Sequence, residues 1–278
     1  MHTKLPAELN IAFIGGGNMA AALIGGLAGR VTEGGRIHVV DLSTDNLTRL
    51  QQQFGVTTST VIDARSAAAD VIVLAVKPQN MREVVDQLKP FMHGQLLLSI
   101  AAGIRGVDLA RWLGDYQAIV RTMPNTPALI GRGITGMVAL AGVSPTQRAA
   151  ADAIMSAVGS TVWFDDEALI DPVTAVSGSG PAYVFYFIEA MQQAALEMGL
   201  TPAQGKALAI ATFTGAAELA AQATEPISVL RERVTSKGGT TYAALSSLQA
   251  DGVQESIVRA LKAAAARGKE MGEEFGRD

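Results

Sequence analysis

The chain has 278 residues, almost half of them hydrophobic and 5% aromatic, and a formal net charge of −4. That length suits two modest domains with buried cores, and the acidic balance argues against a nucleic-acid surface, which is normally basic. Cysteine is absent and His2, His38 and His93 are scattered, so neither a disulfide framework, a thiol nucleophile nor a bound metal is expected.

From the N-terminus, short apolar runs alternate with helical periodicity. Ile11–Gly15, Ile37–Asp41, Asp70–Val76, Gln95–Gly103 and Ala118–Pro124 read as buried strands, with helices at Met19–Ala28, Thr44–Phe54, Met81–Leu88 and Val107–Leu113. Such alternation predicts a parallel sheet with right-handed crossovers. Two more strand runs, Ile134–Ala141 and Ser160–Asp165, bracket a helix-like stretch and extend the sheet at one edge. After Asp166 strand runs cease. Pro181–Met198, Pro202–Ala223 and Val253–Met271 are long alanine-rich helical patterns, with shorter pieces at Ile227–Val234 and Thr240–Ala250. The expected organisation is an α/β domain over residues 1–166 and an all-α domain over 167–278. Apolar residues on more than one face of the second domain point to burial against a second copy of the chain. The N-terminal MHTKLPAELN lacks the apolar core of a signal peptide, and no run of about 18 apolar residues escapes polar interruption. The expectation is a soluble cytoplasmic protein with no membrane contact.

Gly15, Gly16, Gly17, Asn18, Met19 and Ala20 follow the first strand and open a helix. This is the dinucleotide fingerprint of a Rossmann domain: Gly15 for the tight turn, Gly17 for close approach of the pyrophosphate, Ala20 for strand–helix packing. Asp41 ends the next strand, where a carboxylate binds the ribose hydroxyls of NAD and repels the extra phosphate of NADP. It tilts the cofactor slightly towards NADH, and its other reading is a cap for the following helix. Later strand ends carry Ala75, Val76, Lys77 and Pro78, then Ala101, Ala102 and Gly103, then Met123–Pro127. Small residues there let a nicotinamide lie against backbone. Lys77 either pairs with a cofactor or substrate oxygen or is merely solvated, and Asn125 either bonds the ligand or steadies its turn. A second glycine-rich stretch, Thr235–Leu245, precedes a helix-like pattern and suits an anion, because backbone N–H groups at a helix start attract negative charge. Val176–Met191 reads as a flexible Gly-Ser turn entering a long helix, with Pro181 in its first turn.

In order along the chain, FIGGGNMA, LAVKPQ, SIAAG, RTMPNTP, SGSGPAYVF and VTSKGGTTYAAL resemble the pyrroline-5-carboxylate reductase family. The resemblance implies a Rossmann domain followed by a helical dimerisation domain. It also implies reduction of Δ1-pyrroline-5-carboxylate to L-proline, with NADPH the usual family cofactor. It assigns Ser236, Lys237, Gly238, Gly239, Thr240 and Thr241 to the loop holding the substrate carboxylate, and Thr241 to the ring nitrogen. It assigns Gly15 to Ala20, Ala75 to Pro78 and Ala101 to Gly103 to the cofactor. Family members form interlocked homodimers, with partner residues in each active site, and often assemble into decamers. The chain departs from the pattern at Lys237, where many members have proline, and at Asp41, which does not favour NADPH. Two rival classes remain. A β-hydroxyacid dehydrogenase would place a basic lysine early in the long helix, yet Pro181–Gly199 holds neither lysine nor histidine. A non-catalytic NAD(P) sensor would have no need of the second loop.

Overall fold

The structure is a computed structural model and describes residues 9–277; residues 1–8, including His2, and Asp278 lie outside the described residues. The chain divides into two compact units. One runs to Ser179 and takes in the chain again from Ala263; the other spans Gly180–Lys262.

The first unit alternates β1 (Ile11–Ile14), α1 (Asn18–Leu27), β2 (Ile37–Val40), α2 (Thr44–Phe54), β3 (Thr57–Ser59), α3 (Ala64–Ala67), β4 (Val71–Leu74), α4 (Met81–Leu88), β5 (Leu96–Ser99), α5 (Gly106–Trp112), β6 (Ile119–Met123), β7 (Gly133–Ala139), α6 (Pro145–Ser156) and β8 (Gly159–Phe164). The eight strands form one sheet in the order β3-β2-β1-β4-β5-β6-β7-β8. β1, β2, β4 and β5 are buried at every position, as expected of strands covered on both faces. Their alternate side chains feed two cores. Phe13, Leu23, Ile24, Val39 and Ile154 lie in one, and Ile14, Ile72, Met81, Leu97 and Trp112 in the other.

Two features of the sheet depart from the sequence expectation. β7 runs antiparallel to β6, while β8 is parallel to β7. A parallel return needs a crossover of a dozen or more residues, and the Pro124–Arg132 connection is too short to supply one. β3 was not anticipated; it is a polar edge strand, Thr57–Ser59, half-buried throughout.

After β8 come α7 (Ile170–Val173) and a π-helical turn over Thr174–Gly178. The Gly-Ser stretch is therefore helical and no flexible turn. Thr174 and Ser177 hydroxyls donate to the carbonyls of Ile170 and Val173, four residues back. Gly178 packs closely on β6, where a Cβ would sit 2.5 Å from Met123 Cε and displace the end of that side chain.

The second unit holds α8 (Gly180–Glu197), α9 (Pro202–Gln222), α10 (Ile227–Arg233), α11 (Thr240–Ala250) and the start of α12 (Val253–Phe275), whose last turns belong to the first unit. α8 and α9 pack as an antiparallel pair, joined through a left-handed Gly199 and a Thr201–Gln204 capping box. Only Ala195, Gly205 and Ala209 of this unit are buried within the chain. Phe185, Tyr186, Leu208, Leu219 and Val234 are 58–72% exposed. Among the described residues no helix is long and apolar enough to cross a membrane.

Candidate active site

The sheet reverses direction of strand addition between β1 and β4, and ligands of open α/β sheets bind at the carboxyl ends beside such a point. The glycine loop lies there. Gly15 has φ +105°, its N–H donates to Val40 O at 2.7 Å, and a Cβ on it would lie 2.5 Å from Ala75 O. The chain therefore turns off β1 hard against the end of β4, and only glycine fits. Gly17 is the N-cap of α1 (φ −70°, ψ −171°) and offers no side-chain cap; no atom lies within 4 Å of its Cβ position. The first amides of α1 are thus left without a side-chain partner beneath open space, a fit for a pyrophosphate. Ala20, 1% exposed, packs α1 onto the sheet. Asn18 and Met19 begin the helix.

Asp41 follows β2 with both carboxylate oxygens engaged. Oδ2 accepts from Gly16 N–H at 2.6 Å and Oδ1 from Ser43 N–H at 2.7 Å. The cap of α2 is Ser43, which accepts from Asn46 N–H, so the capping alternative for Asp41 is taken up by its neighbour. Asp41 instead ties the glycine loop to the end of β2, and each oxygen retains a lone pair for a further donor. Leu42 and Val61, 89% and 63% exposed, add apolar surface at the same sheet edge. Sequence reasoning passed over both; the signal available was an apolar residue directly after the strand-ending acid.

Ala75 and Val76 are half-buried after β4, Pro78 starts a short 3₁₀ turn, and Lys77 is exposed, with no side-chain hydrogen bond capping that turn. Ala101 and Gly103 after β5 are buried and Ala102 is half-buried. Asn125, 8% exposed, spends its amide on the protein: Nδ2 donates to Ser177 O at 3.1 Å and Oδ1 accepts from Ile134 N–H at 3.0 Å. Ser177 is four residues before Pro181, whose missing N–H leaves that carbonyl without its helical donor. Asn125 supplies the donor.

The second loop belongs to the helical unit. Gly239 N–H closes a turn on Ser236 O at 3.0 Å, Gly238 takes φ +75°, and Gly239 is the N-cap of α11 with φ −82° and ψ 177°. That cap conformation is close to that of Gly17, and it too lacks a side-chain cap. α9, in contrast, carries a full capping box. Ser236, Lys237, Gly238 and Thr240 are exposed, and Gly239 and Thr241 half-buried.

A doubly wound sheet with an uncapped glycine loop at its switch point defines a Rossmann-type dinucleotide-binding protein. The model described as NADP oxidoreductase coenzyme F420-dependent matches residues 10–103, and that of pyrroline-5-carboxylate reductase dimerisation matches 167–271. The chain is 44% identical to the pyrroline-5-carboxylate reductase of Pseudomonas aeruginosa over 96% of its own length and 98% of that protein's. It superposes on the Coxiella burnetii enzyme with TM-score 0.89, at 39% identity, covering 95% of this chain and 98% of that one. The Plasmodium falciparum enzyme, whose structure holds NADP, gives TM-score 0.86 at 28% identity, covering 96% and 99%. The chain belongs to the pyrroline-5-carboxylate reductase family.

Proposed function

We propose that this chain reduces Δ1-pyrroline-5-carboxylate to L-proline with NAD(P)H, the last step of proline biosynthesis. The observation that carries the reading is full-length kinship with a named reductase that spans both the α/β and the helical parts. A bound NAD(P)H would supply the hydride for the carbon of the protonated imine, whose C=N electron pair would settle on nitrogen, which keeps its proton.

The substrate arrives electrophilic when protonated, so the chain's work is positioning, worth roughly 7–11 kcal/mol in ideal cases. Gly15 to Ala20 hold the pyrophosphate. Asp41 faces the adenosine ribose, with Leu42 and Val61 beside the adenine. Ala75 to Pro78 and Ala102 line the path towards the nicotinamide. Ser236 to Thr241 hold the substrate carboxylate through the open start of α11, and Lys237 adds a cation. Thr241 supports the protonated nitrogen. The dinucleotide work falls to residues 1–166 and dimerisation to 167–278, a reading supported by a matched dimerisation model that starts at residue 167. The working form is a homodimer that assembles further into a decamer in the cytoplasm, and mass measurement in solution separates the two states.

Loss of NAD(P)H absorbance with Δ1-pyrroline-5-carboxylate tests the activity; folded protein inert with both cofactors sinks it. Thr241→Ala is expected to lower kcat about tenfold or more, the scale of one lost hydrogen bond to a charged group. Wild-type kcat and KM in that variant would remove Thr241 from the mechanism.

Asp41 tilts the choice slightly towards NADH, because a carboxylate at the end of β2 would repel the 2′-phosphate of NADPH. Asp41→Ser should raise the NADPH/NADH ratio of kcat/KM by about tenfold. Both absolute values should fall, since serine is too short to keep the Gly16 N–H anchor. An unchanged ratio means that Asp41 plays no part in cofactor choice.

A further inference from the structure

The last turns of α12 lie in the same unit as the cofactor edge. They carry Gly268 and Gly272, and Gly276 follows directly on the helix end, at four-residue spacing. These three positions line the seam against Asp171, Arg105 and Asp108. A Cβ on Gly268 would lie 3.4 Å from Asp171 Oδ1, and one on Gly272 3.5 Å from Arg105 Cγ, both ordinary van der Waals contact. One on Gly276 would lie 2.5 Å from both Arg105 Nη2 and Asp108 Oδ2. The seam is pinned where Arg111 Nη2 donates to Gly276 O at 2.6 Å and Arg105 pairs with Asp108.

This docking brings Met271 onto Gly103. A Cβ built on Gly103 would lie 2.9 Å from Met271 Cβ, 3.2 Å from Met271 Cε and 3.4 Å from Phe275 Cδ2. Gly103 also takes φ +73°, so its turn is held in a conformation favoured only by glycine. Gly103 thus faces the helix, and of Ala101, Ala102 and Gly103 only Ala102 is half-buried rather than buried.

We propose that Met271 is a positioning residue for the dinucleotide: packed behind Gly103, it fixes the Ala101–Gly103 turn that presents Ala102 to the cofactor. The proposal rests on the dinucleotide reading of this edge. Cutting Met271 back removes the support, so the turn must be ordered at the expense of cofactor affinity.

Met271→Ala is therefore expected to raise the Kd for NADPH, read from its fluorescence, by roughly tenfold. The KM for NADPH should rise in parallel while kcat stays within about twofold of wild type. Met271→Leu, close in volume, should restore both values. Ile154→Val in the core of the same unit should lower Tm and leave the KM for NADPH unchanged. If Met271→Ala does not fold, Met271→Val is judged by the same criteria. Wild-type Kd and KM in the folded variant overturn the proposal, as does a fall in kcat without a rise in KM. Wild-type protein that binds neither NADPH nor NADH overturns the cofactor reading and this proposal together. Binding by wild type with equal binding by the variant overturns this proposal alone.

Discussion

Gly15→Ala should cost at least about a hundredfold in dinucleotide affinity, through about 3 kcal/mol of combined strain and clash. Its φ of +105° lies in the region that a Cβ disfavours, and the added atom would fall 2.5 Å from Ala75 O and 2.7 Å from Ala75 C. Neither neighbour can retreat easily, because Ala75 N–H is bonded to Ile14 O at 2.8 Å, where β4 leaves the sheet. The loop itself must lift, carrying Gly16 away from Asp41. Gly17→Ala is the informative companion. Its Cβ meets nothing in the protein, so it should leave Tm unchanged and still weaken binding where the pyrophosphate approaches. Titration of NADPH fluorescence with parallel melting curves separates the two variants, and normal NADPH binding by Gly17→Ala would move the phosphates away from this loop.

Glu167→Ala should destabilise the chain by about 3 kcal/mol without touching the proposed chemistry. Arg121 is 4% exposed on β6, and its Nη1 is 3.1 Å from Glu167 Oε1. The same carboxylate oxygen accepts from the N–H of Gly106 at the start of α5. Removing it leaves a buried guanidinium with Asp171, 3.7 Å away, as its remaining ion-pair partner. Asp171 is a weak substitute: burial pushes its carboxyl up from the usual range, against the opposing pull of Arg121. Denaturant unfolding at fixed protein concentration reads the loss. Glu167→Gln, which keeps an acceptor for Gly106 N–H, should lose less, and equal losses would show that the charge pairing with Arg121 carries the whole effect and the bond to Gly106 little.

Much of this was legible in the sequence, for physical reasons that vary by element. Strands β1, β2, β4 and β5 are continuous apolar runs because helices cover both faces, and such runs stand out between helical periods. The glycine fingerprint was legible because its backbone demands are severe: Gly15 tolerates nothing larger. Three things were hidden. β3 is a polar edge strand whose partner lies across α2, so its pairing with β2 leaves no local pattern. The direction of β7 depends on the length of a connection rather than on the strand's own residues. The helical nature of Val176–Gly180 rests on hydroxyl back-bonding and on Asn125, which lies far away in sequence. Asn125 and Gly103 were both placed at the site by position along their strands. The structure shows the Asn125 amide bonded to Ser177 and Ile134 and Gly103 packed against Met271, information that only packing can carry.

The near absence of an interior in the helical unit has a thermodynamic consequence. With Ala195, Gly205 and Ala209 as its buried residues, this half of the chain cannot offset the entropy of ordering five helices by its own packing. Its folding and its association are one equilibrium, governed by mass action. Dilution should therefore act on this protein as a denaturant does, lowering the melting temperature of the helical half with every step down in concentration.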